Sequence, residues 1–311
     1  MRKVNGVVVI DKPAGMTSHD CVARIRRLYK TKKAGHTGTL DPDVTGVLPV
    51  CLGQATRLVE YLQELPKRYD VVMRIGCATT TEDAAGEVTQ RQEVDPERIT
   101  EERITSLFRS FLGEIEQVPP MYSAVKVNGK RLYELAREGT VIERQSRKVT
   151  LYELTLADIA VREQMVDVYF SCTCSKGTYM RTLCVDLGRA LGYPAHMKQL
   201  RRTKSGPFAE QVAIPLEKLE EQASRGADLS AYVRPVREAV SFLPSFQVRP
   251  DRIKAVLNGL TTALPGVDLK EGSLVCLFAG ERLLGIHRVC RGDKGLFAKA
   301  EKVFPSEVSS S

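Results

Sequence analysis

Val166-Asp167-Val168-Tyr169-Phe170-Ser171-Cys172-Thr173-Cys174, then Ser175-Lys176-Gly177, then Tyr179 to Gly192 (YMRTLCVDLGRALG) decide the fold class. In the first run apolar side chains fall at every second position, the period of a half-buried antiparallel strand. Ser175-Lys176-Gly177 turns the chain. Leu183, Leu187 and Leu191 then recur every fourth residue, which predicts a helix ending near Gly192 and Pro194. A strand of period two followed directly by a helix, with no regular βαβ rhythm elsewhere, predicts an α+β fold with a mixed, largely antiparallel sheet.

Upstream, Val7 to Ile10 reads as a short buried strand stopped by Asp11-Lys12-Pro13-Ala14-Gly15. Thr17 or Ser18 can cap a helix running to about Lys30. Val22, Ile25 and Leu28 would line its inner face, and Arg24, Arg26, Arg27 and Lys30 fill the others. Lys32 to Asp43 (KKAGHTGTLDPD) has no apolar periodicity and reads as a loop. The apolar VLPVCL and a short helix around Thr56 to Leu62 follow, and Tyr69 to Ile75 is strand-like. Polar residues dominate Thr79 to Glu97, after which Ile104, Leu107, Phe108 and Phe111 mark a helix face. Downstream, an Arg- and Pro-containing stretch from Ala223 to Pro244 precedes three short strand patterns, SLVCLFA, RLLGIHRVC and GLFAKAEKVF. These place a boundary near Pro244, giving units of residues 1–244 and 245–304 and a disordered tail at 305–311.

With 311 residues, 43% apolar and 27% charged, the chain can bury one or two full cores, which excludes a disulfide-stapled miniprotein and wholesale disorder. A formal net charge of +8 and a pI near 9.0 favour a polyanionic partner such as nucleic acid. Half of that charge sits in Ser245 to Phe304, where ten basic and six acidic residues give +4. Eight scattered cysteines without a C-x-x-C pair, and four dispersed histidines, point to buried reduced thiols and no metal site. The apolar run VVVI is too short for a signal peptide or a membrane span, so a cytoplasmic location and no membrane partner are expected.

The densest polar cluster is Gly35 to Gly46 (GHTGTLDPDVTG), a glycine-bounded loop into which a ligand can come close. Loop grammar alone favours a plain reading, with Asp41 forming an Asx-turn before Pro42 and the glycines supplying positive φ. A catalytic carboxylate is the other reading. Tyr69, Arg181, Tyr179, Leu200 and His36 would individually pass for a strand tyrosine, a solvated helix arginine, packing residues and a solvent-facing loop histidine.

The stretch GHTGTLDPDVTGVLPVCLGQATRL strongly resembles the active-site motif of the TruB family of pseudouridine synthases. Further blocks follow in family order: DKPAGMTSHD (11–20), KRYDVVMRIG (67–76), TTTEDAAGE (79–87), PPMYSAVKVNGKRLYELAR (119–137), SKGTYMRTLCVDLG (175–188) and LRRTKSGPF (200–208). The resemblance covers about the first 210 residues, and the basic C-terminal part looks like the PUA domain usual in bacterial members. It implies an isomerase that converts the T-loop uridine at position 55 of tRNA to pseudouridine, with base flipping and without cofactor or metal. Hydrolytic glycosidases ordinarily need two carboxylates, but an isomerase that retains both halves can work with one.

The resemblance assigns that role to Asp41 and leaves three routes open: attack on C1′, addition to the base, or removal of the C2′ proton. It makes Arg181 the partner that keeps Asp41 ionised, Tyr69 the face on which the base stacks, and Tyr179 and Leu200 the walls of the uracil pocket. His36 becomes the wedge that fills the vacated loop. Lys12, Asp83, Lys126, Arg131, Arg201 and Arg202 fall in blocks that face RNA or support the pocket. Where the family often has an acidic residue near Asp83, this chain has Thr80. The implied partner is the tRNA T-arm, bound by a monomer with no obligate protein partner. A non-catalytic RNA-binding or tRNA-folding protein is the alternative, against which the intact set Asp41, Tyr69 and Arg181 argues. A guide-RNA-directed subunit would bring longer lysine-rich extensions than PSEVSSS.

Overall fold

The computed structural model describes residues 4–293 and 295–305 apart from 124, 125, 128, 133–137, 139 and 141, and gives the backbone alone at 126, 127, 130 and 131. The tail expected to be disordered lies, beyond Pro305, outside the described residues.

The chain opens with strand β1 (Gly6–Lys12), helix α1 (Ser18–Leu28) and a hairpin of β2 (Ala34–His36) and β3 (Thr45–Leu52). Helix α2 (Val59–Glu64) leads into β4 (Lys67–Ile75). Then come α3 (Glu101–Phe111), β5 (Gly113–Gln117), β6 (Arg147–Arg162), β7 (Met165–Cys174), α4 (Met180–Leu191) and β8 (Ala195–Ser205). The short β9 (Phe208–Ala209) and β10 (Ile214–Pro215) and helix α5 (Leu216–Ser224) complete this part. Ten strands form one sheet in the order β10-β1-β3-β8-β4-β7-β6-β5, with β2 added to β3 and β9 to β8. Pairing is antiparallel except at β1/β10 and β3/β8, so the fold is α+β with a mixed, largely antiparallel sheet.

Local chemistry accounts for the ends of the helices. Thr17 caps α1 by accepting from the Asp20 N–H at 3.1 Å, and the Asp20 carboxylate returns the bond to the Thr17 N–H at 3.0 Å. Gly192 ends α4 at φ +88°, the left-handed conformation that glycine adopts without strain. Two expectations need correction. Lys32 to Asp43 is not all loop, because Ala34 to His36 pairs with β3 (Ala34 opposite Leu52, His36 opposite Val50). A three-residue edge strand containing Gly offers no side-chain period to read. On β7, Asp167 belongs to the polar alternate set yet is 0% exposed, with Arg74 at 2.7 Å and Lys198 at 2.7 Å supplying its counter-charge from β4 and β8.

The β1 and β3 strands are buried on both faces. Val8, Ile10, Leu48, Val50 and Leu52 join the large core beneath α1 and α4, while Val7, Val9, Val47 and Cys51 point the other way. On that second face they cluster with Ala55, Leu58, Leu62, Phe208, Ala239 and Val240 and with part of a five-stranded sheet made of β11 (Ser245–Gln247), β12 (Thr262–Ala263), β13 (Leu274–Ala279), β14 (Arg282–Gly292) and β15 (Gly295–Val303), ordered β11-β13-β14-β15-β12. It has its own small core around Val256, Leu277, Leu284 and Val289. Cys276, Phe278, Ile286 and Phe304, however, share one cluster with Val7 and Val9. Burying side chains of this size stabilises by about 1.5–3 kcal/mol each, so the two sheets are energetically joined. All eight cysteines are free thiols, seven of them buried.

Candidate active site

The loop Thr37 to Val44 links β2 to β3 and is bolted down at its ends and middle. Ser18, the first residue of α1, accepts from the Leu40 N–H at 2.8 Å and donates to the Leu40 carbonyl at 3.2 Å. Lys12, at the end of β1, is 0% exposed, and its ammonium donates to the carbonyls of Pro13 (2.8 Å), Met16 (2.5 Å) and Pro42 (2.7 Å). Arg202 on β8 is equally enclosed and donates to the carbonyls of Val47 (2.7 Å) and Gly38 (3.1 Å). At Gly46, φ +106°, a Cβ would fall 2.2 Å from the Arg202 carbonyl, so only glycine lets β3 cross β8 there.

The loop presents Asp41 to α4. The Val44 N–H donates to the Asp41 carbonyl at 3.1 Å, closing a turn with Pro42 in second position, so the backbone makes the turn and leaves the carboxylate free. Its Oδ2 lies 3.1 Å from Nη2 of Arg181, whose side chain is only 6% exposed against 45% for Asp41. Arg181 is fixed by donating to the carbonyls of Thr81 (3.2 Å) and Tyr122 (2.9 Å), with Asp83 at 3.7 Å behind it. Desolvation by the cleft walls raises the Asp41 pKa above the ordinary aspartate value. Arg181 opposes that shift and Asp83 adds to it.

A cleft of about 380 Å³ opens over Asp41, walled by Tyr69, Tyr179, Met180, Leu200, Lys67 and Arg202. That is within the range of pockets that take small ligands, about 300–1,000 Å³. Tyr69 stands on β4 opposite Arg202, which hydrogen-bonds its hydroxyl; burial pushes that hydroxyl's pKa up. Tyr179 sits immediately before α4. Its backbone N–H donates to Oε1 of Gln117 at 3.0 Å and its carbonyl accepts from Nε2 at 3.3 Å, so one buried amide fixes both sides of the peptide. His36 stands beside the cleft, its ring edge-on to His19 at 5.2 Å, and its Nδ1 accepts from the Gly38 N–H at 3.3 Å. Burial, helped by His19 and Arg202, lowers its pKa to about 4, so the imidazole is neutral at pH 7.

Asp41, Arg181, Tyr69, Tyr179 and Leu200 are therefore brought together, although they are spread over 160 residues. Four of the residues from blocks expected to face RNA or support the pocket have their charges engaged within the protein. Lys12 and Arg202 have no surface left for a phosphate, and Asp83 is engaged by Thr81 Oγ1 at 2.5 Å and the Ala85 N–H at 3.1 Å. Arg201 is held by both oxygens of Asp11 (2.9 and 3.0 Å) and by Glu210 (3.4 Å). In each of the four the charge has a partner within the protein. Lys126 and Arg131 pair across a two-residue hairpin, and their side chains lie outside the described residues. Thr80 closes a different hairpin by accepting from the Glu87 N–H at 3.1 Å.

The sequence reading does not single out Gln117, Lys67 or the hold that Ser18, read only as a helix-cap candidate, has on Leu40. Lys67 donates to the carbonyls of Leu65 (2.6 Å) and Gln63, and burial lowers its pKa to about 8. Its position two residues before Tyr69, alternating onto the same strand face, was the available signal.

A TruB family pseudouridylate synthase N-terminal domain model matches residues 26–180, and a tRNA pseudouridylate synthase B C-terminal domain model matches 181–241. The chain is 50% identical to tRNA pseudouridine synthase B of Geobacillus kaustophilus over 279 residues, 88% of this chain and 96% of the relative. It is 44% identical to the Bacillus subtilis protein of the same name over 302 residues, 96% and 97% of the two chains. Among solved structures, a chain of an H/ACA RNP bound to a substrate RNA containing 2′-deoxyuridine superposes with a TM-score of 0.72 at 29% identity, covering 97% of this chain and 85% of its own. The chain belongs to the TruB family of pseudouridylate synthases.

Proposed function

We propose that this protein isomerises the T-loop uridine at position 55 of tRNA to pseudouridine, with Asp41 as the catalytic carboxylate. The observation that carries the reading is the Asp41–Arg181 pair at 3.1 Å on the floor of a cleft walled by Tyr69, Tyr179 and Leu200. The reaction breaks the N1–C1′ bond, turns the uracil and forms a C5–C1′ bond, and the proton on C5 is replaced by one on N1. Atoms balance without an added group. Asp41 acts in its ionised form, which Arg181 favours against the desolvation of the cleft. Tyr69 offers its ring to the extruded base, a contact worth about 1–3 kcal/mol, and the neutral His36 fills the vacated space without placing a charge in the RNA loop.

The reading divides the chain into a catalytic unit (1–244) and a small basic PUA-like RNA-binding unit (245–304). The protein works in the cytoplasm as a monomer on the T-arm, with no obligate protein partner. Among the described residues no helix is long and apolar enough to cross a membrane. The test is incubation with an unmodified tRNA transcript and mapping of pseudouridine by carbodiimide stop or mass spectrometry. Product confined to the T-loop site is expected, and its absence with well-folded protein would refute the reading.

A further inference from the structure

A second concavity, of about 390 Å³, opens where the β2/β3 hairpin meets the end of β15, lined by Lys32, Lys33, Gln54, Thr56, Arg57 and Pro305. No carboxylate lines it among the described residues. Several other surface cations are paired: Arg24 with Glu220 at 3.2 Å, Lys148 with Glu114 at 2.7 Å, Arg225 with Glu221 at 2.5 Å, Arg249 with Asp251 at 3.1 Å. Lys32, Lys33 and Arg57 are exposed and make no ion pair among the described residues.

The frame that holds them is rigid. The Gly53 N–H donates to the Lys33 carbonyl at 2.9 Å, Thr56 Oγ1 to the Gly53 carbonyl at 2.7 Å, and Gln54 Nε2 to the Pro305 carbonyl at 2.9 Å. The Arg57 guanidinium lies over the Phe304 ring at 5.8 Å. Three like charges fixed around one hollow repel one another, and an anion in the hollow relieves that repulsion. A phosphate fits this chemistry, since lysine and arginine together offer point charge and planar donors.

The hollow adjoins the cleft along the chain. Lys33 and Thr37 are separated by β2, and at about 3.3 Å per residue the distance is roughly 13 Å. An RNA strand passing His36 is therefore within reach of Lys33. We propose that Lys32, Lys33 and Arg57 form a phosphate-binding site that grips the tRNA backbone outside the catalytic cleft. This rests on tRNA being the substrate.

The test is the triple variant Lys32→Ala/Lys33→Ala/Arg57→Ala in the full chain, with binding to unmodified tRNA measured across about 50 to 300 mM KCl. Each phosphate contact contributes about 0.7–0.9 to the slope of log affinity against log salt. The triple variant is expected to lower that slope by between one and two and to weaken affinity about tenfold near 0.1 M salt. The control is Lys148→Ala/Arg225→Ala/Arg249→Ala, which removes the same net charge from cations already paired and should leave the slope in place. Melting curves accompany both, and Lys32→Gln/Lys33→Gln repeats the measurement should the alanine variant unfold.

An unchanged slope, or an equal fall in the control, overturns the proposal. Titration with inorganic phosphate separates the sources: binding below about 1 mM lost in the triple variant while the tRNA slope stays fixed would make this a free-anion site and overturn the RNA assignment. Pseudouridine is scored in the same samples. Product with an unchanged slope refutes this site alone, whereas a lowered slope without any wild-type product refutes the catalytic reading and leaves the site standing.

Discussion

Lys12→Met separates two roles that sequence reasoning could not tell apart. As a phosphate contact, Lys12 would add about one phosphate's share to the salt slope of tRNA binding, and its loss would spare the fold. As the structure has it, the ammonium joins the carbonyls of Pro13, Met16 and Pro42 at 2.8, 2.5 and 2.7 Å and is 0% exposed. Methionine matches its length but donates nothing. Three stranded carbonyls cost about 1–3 kcal/mol each, against which the variant no longer buries an ammonium, a penalty of several kcal/mol. The balance is a loss of about 2–4 kcal/mol. At about 2–4 °C per kcal/mol for a chain of this size, Tm falls by roughly 5–15 °C. Because the Pro42 carbonyl belongs to the turn that aims Asp41, kcat should fall at least tenfold while affinity for tRNA stays within about threefold. The assays are a thermal melt, single-turnover pseudouridine formation, and filter binding across a salt series. A slope lower by about one, with Tm and kcat near wild type, would show that Lys12 reaches RNA after all and that the loop does not depend on it.

Asp41→Asn should abolish turnover yet bind tRNA within a few fold of wild type, and activity above about a hundredth of wild type would remove Asp41 from the central role. In the wild type, the acid limb of kcat/KM should lie above the ordinary aspartate range near 3.9, because the Asp41 pKa is raised by desolvation. Tyr69→Phe should keep substantial activity and Tyr69→Ala lose it. An isolated T-arm hairpin should be modified and the same uridine within a continuous duplex should not, since extrusion is least costly from an unpaired position; equal rates on both would contradict base flipping as described. Stability should fall as pH drops from about 6.5 to 4. Enclosed His287, whose two ring nitrogens have no partner among the described residues, has its pKa lowered by burial to about 4, so the unfolded chain takes up that proton first. The full effect is about 3 kcal/mol for a group 0% exposed; His287→Phe should remove that share of the acid limb in denaturant titrations at pH 4.5 and 7, and an unaltered limb would place the effect elsewhere.

The β7-turn-α4 reading held because side-chain type alone carries periodicity: valines and cysteines at every second position, leucines at every fourth. Asp41 and Arg181 became legible as a pair only through the family motifs, because nothing in local spacing joins residues 140 positions apart. What stayed hidden acts through the backbone. Lys12, Arg202 and Ser18 bind carbonyl or amide groups, and Gln117 binds the Tyr179 peptide, so neither partner's side chain advertises the contact. Charge alone leaves both roles open for the same reason. A basic residue in an RNA enzyme suggests phosphate, yet Arg201 spends its guanidinium on Asp11 and Glu210. The boundary placed near Pro244 marks where strand patterns change, but alternation on β1 could not say that Val7 and Val9 share one cluster with Phe278 and Ile286.

That packing has a consequence for the order in which the protein can be made. Val7 and Val9 leave the ribosome well ahead of Phe278, Ile286 and Phe304, which share their cluster. At about 5–20 residues per second the strand waits roughly 15–60 s for that part of its cluster. Meanwhile a nascent chain can close the face of β1 under α1, and on the opposite face it has Ala55, Leu58 and Leu62 early and Phe208, Ala239 and Val240 later. A chain that stops short of β14 lacks Leu283, Ile286 and Phe304 from that cluster and leaves its other apolar members less enclosed, the kind of surface that chaperones hold and proteases act on. The full enclosure of that strand thus depends on side chains that are made long after it.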